Sequence, residues 1–170
     1  MHADLLAQAI QLATLDPKKP KQANLRRAVS AAYYAVFHFL VQNACRIMIG
    51  TQHSQAAFRH VLGRAYTHTN IKQACLSFSG GTLKSNVTKG LPKHFQIPVA
   101  IQELAATFLE LQNIRHLADY DLTERFKRSD VIFRIERVGI RINSFDALPS
   151  TDEKKFFLAC LWAWKELNNR

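Results

Sequence analysis

Apolar residues recur at intervals of three and four along most of the chain, which is the spacing of an amphipathic α-helix. No stretch alternates apolar and polar residues in the way that indicates a half-buried strand. The pattern predicts helices over 3–15, 22–49, 52–75, 98–120 and 129–144, and a last helix that begins at the capping sequence of residues 150–153. The predicted fold is therefore all-α: an up-and-down bundle of five to six helices in a single domain over residues 1–170, with C-terminal helices over 123–170.

Glycine and proline mark the ends of these segments. Asp16-Pro17 ends the first helix, because the residue before a proline disfavours the helical conformation, and Gly50 ends the second. Residues 77–98 contain a polar, basic stretch with Gly80-Gly81, Gly90, Pro92 and Pro98, and we expect a long loop there. Loops of about twenty residues in compact domains tend to be functional or mobile.

The second predicted helix is apolar over much of its circumference, which is typical of a central helix in a bundle. Its remaining stripe contains Arg27, Tyr34 and His38, spaced seven and four residues apart and therefore aligned. This stripe can line a groove or a dimer contact, or be a partly exposed polar face without a role. In the third predicted helix, the inward candidates are Ala56, Ala57, Val61, Leu62, Ala65, Ile71 and Ala74.

The fourth predicted helix carries a fixed positive charge in an apolar stripe. Its apolar members at helical spacing are Leu104, Phe108, Leu111, Ala118 and Leu122, and Arg115 lies among them. A guanidinium in such a position keeps its proton and needs a carboxylate, a carbonyl or a bound anion. Asp119, one turn later, is the local candidate. The pair has two interpretations, an internal ion pair that fixes helix packing or part of a functional site.

The net charge of +10 is distributed unevenly. Between Asp16 and Glu103 the chain has twelve lysines and arginines and no carboxylate, whereas from Glu103 to the end eleven acidic residues meet eleven basic ones. A one-sided positive field of this kind favours a polyanion or an acidic protein as partner, and Arg26, Arg27, Arg59 and Arg64 are its binding candidates. The alternative is a basic surface that is merely solvated.

Other classes of site lack their usual patterns. The three cysteines are far apart without metal-ligand spacing, and the histidines of 52–75 have no acidic neighbours, so we expect no metal and no cofactor. The stretch Gly80 to Ser85 lacks the spacing of a phosphate-binding loop. We expect core thiols in a reducing compartment, no targeting or membrane segment, and a cytoplasmic protein.

Two segments together resemble the HEPN family of prokaryotic helical domains. Residues 25–38 are similar to the family's Arg-Ala-Tyr-Tyr-Ala-x-Phe-His helix, and residues 115–121 to the Arg-x-x-Ala-Asp-Tyr ending of a later helix in one branch. The resemblance covers about 22–122. It implies a helical bundle, often a homodimer, often encoded beside a nucleotidyltransferase-type antitoxin in a toxin–antitoxin or defence pair.

Many HEPN proteins are metal-independent endoribonucleases that use an arginine followed, after four to six residues, by a histidine. Here that histidine would fall at 120, 121 or 122, where Tyr120, Asp121 and Leu122 stand. One hypothesis is a nonstandard catalytic site in which Arg115 binds phosphate and His38 acts as base, with Asp119 and Tyr120 beside Tyr34. We expect primarily a HEPN-like domain that binds RNA, a nucleotide or a partner protein. The alternatives are an active endoribonuclease toxin and a non-catalytic structural or protein-interaction bundle.

Overall fold

The computed structural model describes residues 1–168, all of whose regular elements are helical. The predicted all-α class is confirmed; the last two residues of the predicted domain, 169 and 170, lie outside the described residues. The α-helices are α1 (His2–Thr14), α2 (Gln22–Ile49), α3 (Ala56–Gly63), α4 (His68–Ser79), α5 (Ser85–Thr88), α6 (Val99–Tyr120), α7 (Arg128–Ala147) and α8 (Asp152–Asn168), and one 3₁₀ turn spans His53–Gln55.

The predicted third helix is wrong, and this raises the number of helices above the five to six expected. Residues 52–75 form the 3₁₀ turn, α3 and the start of α4, with a break between Gly63 and His68. Thr67 starts the new helix, because its Oγ1 accepts a hydrogen bond from the Asn70 backbone N–H at 3.2 Å. Ile71 and Ala74 are buried as predicted, but four other inward candidates are exposed: Ala56, Ala57, Val61 and Ala65.

The predicted loop over 77–98 is shorter and less irregular than expected. Helix α4 continues to Ser79, and α5 forms a single turn over Ser85–Thr88. Gly81 has a positive φ of 72°, a conformation that glycine adopts without steric cost. Backbone hydrogen bonds within the connection between α4 and α6 order part of it, including those from the Leu91 N–H to the Thr88 carbonyl and from the Phe95 N–H to the Pro92 carbonyl, each at 2.9 Å.

The chain divides into two compact units, of which the first contains residues 1–39 and 107–143. Its core includes Tyr33 and Phe108, whose ring centres lie 5.4 Å apart. The side chain of Gln22 accepts a hydrogen bond from the Phe126 backbone N–H and donates one to its carbonyl, each at 2.9 Å. These contacts place the first part of α2 beside the last part of α6 and the segment that follows it.

The second unit contains residues 40–106 and, among the described residues, 144–168. Helices α4 and α8 pack together in it through an aromatic cluster around Phe78, which lies 4.9 Å from the Phe157 ring and 5.7 Å from the Trp164 ring. Cys75 and Cys160 are buried free thiols here, and burial raises the pKa of Cys160 to about 12. Such thiols behave as apolar core groups.

Candidate functional site

A surface cleft of about 510 Å³ lies between α2 and the end of α6 in the first unit. Ten residues line it: Ala23, Arg26, Arg27, Ser30, Tyr34, Arg115, Ala118, Asp119, Tyr120 and Leu122. Eight of these ten belong to the segments 25–38 and 115–121 that the sequence singled out. The two segments therefore form the walls of one cleft, which we call the arginine cleft.

Arg115 is held in place on three sides. Its Nε donates to Asp119 Oδ2 at 2.9 Å, one helical turn away, and its Cζ lies 5.3 Å from the ring centres of both Tyr33 and Tyr34. The side chains of Arg115 and Asp119 each retain 23% of their exposure. Neither Nη atom of Arg115 bonds to a described residue, and neither is sealed from solvent. Arg115 therefore has unused N–H donors at the wall of the cleft.

The Asp119 carboxylate uses both of its oxygens within the protein. Oδ2 accepts from Arg115, and Oδ1 accepts from the Ser30 hydroxyl at 2.9 Å. Ser30 is buried on α2. The carboxylate thus links the two walls of the cleft through one charged and one neutral hydrogen bond.

Arg26 has a different environment from the other cleft arginines. Its Nη1 donates to the Ala118 carbonyl at 2.7 Å, and its Nη2 donates to the carbonyls of Asp121 and Glu124 at 2.8 and 2.7 Å. These carbonyls lie at the end of α6 or just beyond it, where the helix leaves acceptors unpaired. Arg26, expected to bind a ligand, thus uses its guanidinium to hold this turn together.

Two other polar side chains of the cleft, Arg27 and Tyr120, are exposed to solvent. Arg27 is exposed and has no hydrogen-bond or ion-pair partner among residues 1–168. Tyr120 is 68% exposed, with its ring 4.9 Å from that of His116. Asp121 lies just beyond: hydrogen bonds from the Thr123 side chain and backbone hold its pKa below the usual value, and they shape the turn after α6.

His38 does not line the arginine cleft. Its ring stacks on Tyr34 at 6.2 Å and lies edge-on to Phe37 at 5.4 Å. Burial lowers the pKa of His38 from its usual 6.5. The structure thus brings together Arg115, Asp119, Tyr120 and Tyr34 at one cleft, whereas His38 contacts Tyr34 but is not part of the cleft wall.

The two other basic candidates belong to the second unit. Arg59 Nη1 donates to the carbonyls of Gly50 and Gln52 at 2.8 and 3.0 Å and so stabilises the turn after α2. Arg64 is exposed at the end of α3.

The stripe on α6 is buried at four of its apolar positions, Leu104, Phe108, Leu111 and Ala118. The inclusion of Leu122 is wrong: it is 84% exposed, because the helix ends at Tyr120 and the helical spacing no longer applies.

Sequence reasoning also missed two residues of the site, Ser30 and Tyr33. Ser30 was detectable, since it lies three residues after Arg27 and four before Tyr34, on the same side of the helix.

Among residues 1–168, no group of three or more His, Cys, Asp or Glu side chains is arranged to hold a metal ion. None of the helices there combines the length and apolar character that crossing a membrane requires.

Comparison of the chain with protein-family models, with curated proteins and with solved structures finds no match.

Proposed function

We propose that the protein is a HEPN-like helical domain that binds RNA through the arginine cleft. The observation that carries the proposal is the meeting of the two motif segments around Arg115, whose Nη groups have no acceptor within residues 1–168. Arginine Nη groups fixed in one plane match the oxygens of a phosphate. Arg27, unpaired among the described residues, supplies a second cation at the same cleft.

Aromatic exposure supports RNA as the polyanion. The Tyr120 ring lies at the cleft and is largely accessible. Proteins that bind single-stranded nucleic acid combine a cationic groove with rings on which bases stack. The net charge of +10 adds a long-range attraction that is independent of sequence.

Our proposal is one of binding and includes no bond-breaking step. The catalytic hypothesis needs a base beside the phosphate, and His38 stands outside the cleft. Asp119 already accepts hydrogen bonds at both oxygens. From the family resemblance alone, we extend the proposal to a homodimer in the cytoplasm, in a toxin–antitoxin or defence context with a nucleotidyltransferase-type partner.

The test is titration of the protein into a short fluorescein-labelled single-stranded RNA at several salt concentrations, with gel analysis of the RNA afterwards. Arg115→Ala and Arg27→Ala are the cleft variants. Arg64→Ala is the matched control, because it removes an exposed arginine from the other unit. We expect each cleft variant to weaken binding and to reduce the salt slope by about one. The control should lose much less affinity than either cleft variant, because it removes one charge from the long-range attraction and no contact in the cleft.

Two results contradict the proposal: no binding at low salt, or equal weakening by Arg64→Ala and the cleft variants. Cleavage products that disappear in both Arg115→Ala and His38→Ala, with folding intact, indicate instead an active endoribonuclease. Folding of each variant is checked by circular dichroism.

A further inference from the structure

We propose that Asp119 and Ser30 are positioning residues, which fix Arg115 so that its Nη edge meets a phosphodiester group of the bound strand. This inference rests on the proposed function, since it concerns the same cleft. It assigns a role to a carboxylate and a hydroxyl. Neither group is positively charged, so attraction between charges alone would not identify them as determinants of RNA binding.

The contacts leave Arg115 one direction for ligand binding. Its Nε edge is taken by Asp119 at 2.9 Å, and the rings of Tyr33 and Tyr34 lie 5.3 Å from its Cζ. The ion pair and the rings together restrict rotation of the guanidinium plane. The Nη edge stays accessible, and it is the edge that forms two parallel hydrogen bonds with phosphate oxygens.

Ser30 fixes the carboxylate in turn. Its hydroxyl donates to Asp119 Oδ1 at 2.9 Å from the opposite wall of the cleft, and Ser30 is 7% exposed. A carboxylate with only one partner could rotate and take Arg115 with it. With both oxygens engaged, the orientation of the carboxylate follows from the packing of α2 against α6.

A role of Asp119 in charge neutralisation and a role in positioning Arg115 predict opposite changes in RNA affinity when the carboxylate is removed. If the carboxylate only offsets the charge of Arg115, its removal raises the positive charge of the cleft and strengthens RNA binding. If it positions Arg115, its removal weakens binding despite the gained charge. Ser30→Ala changes no charge, so any effect of it on affinity comes from positioning.

The experiment measures affinity and salt slope for the same labelled single-stranded RNA with Asp119→Ala, Asp119→Asn, Ser30→Ala, Arg115→Ala and the double variant Asp119→Ala/Arg115→Ala. Glu136→Gln is the charge control, because it removes one exposed carboxylate of the same unit outside the cleft. The Arg115 Nε–H resonance, assigned by its absence in Arg115→Ala, reports on the orientation of the side chain without RNA.

We expect Asp119→Ala and Ser30→Ala to weaken binding, with the salt slope of Asp119→Ala lower by about one, as in Arg115→Ala. The double variant should bind no more weakly than Arg115→Ala alone, because both changes remove the same contact. The Nε–H resonance should shift or broaden in both single variants. Glu136→Gln should bind at least as tightly as the wild type.

Unchanged or tighter binding by Asp119→Ala, together with weakening by Arg115→Ala, overturns the positioning role and leaves the proposed function standing. Unchanged binding by Ser30→Ala overturns the part assigned to Ser30. Lack of binding by the wild type overturns the proposed function and this inference with it. Because Ser30→Ala removes one neutral hydrogen bond, and Asp119→Asn keeps the size of the side chain, the test does not depend on a variant that fails to fold.

Discussion

The Nζ atom of Lys154 lies 2.9 Å from the carbonyl oxygen of Phe145 and 4.8 Å from the centre of the Phe145 ring. It also donates to the Leu148 carbonyl at 2.9 Å. These acceptors lie in the last turn of α7 and just after it, where helix carbonyls lack intrahelical partners. A buried lysine thus caps a helix that precedes its own in the chain.

We predict that Lys154→Met lowers the free energy of unfolding by about 1–3 kcal/mol, because it removes the donor to the Leu148 carbonyl and leaves the Phe145 carbonyl with only the Leu148 backbone N–H. The control is Lys155→Met, which removes an exposed ammonium that pairs with Asp152 and should change stability by less than about 0.5 kcal/mol. Urea unfolding followed by circular dichroism measures both. Equal stability of the two variants would show that the capping bonds contribute nothing measurable.

We predict that substitutions of the neighbouring arginines on α2 have different effects, one on the stability of the fold and the other on RNA binding. Arg26→Ala removes the donor to carbonyls at the end of α6, and we expect the free energy of unfolding to fall by about 2 kcal/mol. Arg27→Ala removes an exposed side chain and should leave stability within about 0.5 kcal/mol of the wild type while weakening RNA binding. Thermal and urea unfolding, compared with the RNA titration, test this division. It fails if Arg27→Ala destabilises as much as Arg26→Ala.

Gly50 ends α2 in a conformation that favours glycine, with φ of 102°. A Cβ there would also overlap the side-chain amide of Gln55. Gly50→Ala should therefore lower the free energy of unfolding by about 1 kcal/mol or more. Gln55→Ala in the same variant should recover the part due to overlap. The control is Gly90→Ala, where an added Cβ meets no atom within 4 Å, and urea unfolding should detect little change.

The pH dependence of stability should contain a contribution from His38. Burial holds its pKa below 6.5 in the folded protein, so as the pH falls below 6.5 the unfolded chain takes up a proton before the folded one does. The folded state is then disfavoured, and stability is lost until the pH passes the folded pKa. We expect the urea midpoint of the wild type to fall more than that of His38→Gln between pH 8 and pH 5. Parallel pH profiles of the two proteins would contradict this assignment.

Periodicity predicted the long helices well because it reports a local property. The bounds of α2 match the predicted 22–49, and α6 differs from its prediction by one residue. The same reasoning failed at 52–75, where apolar spacing continues across a break that Thr67 caps. Apolar spacing alone does not show where one helix ends and the next begins. The capping threonine was the available signal.

For the candidate site, the two motif segments suggested the hypothesis that Arg115 meets Tyr34 and His38, and the structure places Arg115 against the Tyr34 ring. The segments were insufficient for His38, whose position one turn from Tyr34 suggested a place in the same groove. The structure places its ring against Tyr34 and outside the cleft. A helical stripe gives the direction of a side chain, whereas the extent of a cavity depends on the element packed against that stripe.

By itself, the sequence determined the all-helical class, the ends of α1, α2 and α6 to within one residue, and the Arg115–Asp119 pair, because each depends on residues within one or two helical turns. Only the tertiary structure decided the environments of Arg26 and Arg27. These adjacent residues have the same chemistry, yet Arg26 bonds to carbonyls more than ninety positions away and Arg27 faces solvent. The physical reason is that an arginine donates to whichever acceptors packing brings within reach, and those acceptors are set by the contact of α2 with the end of α6.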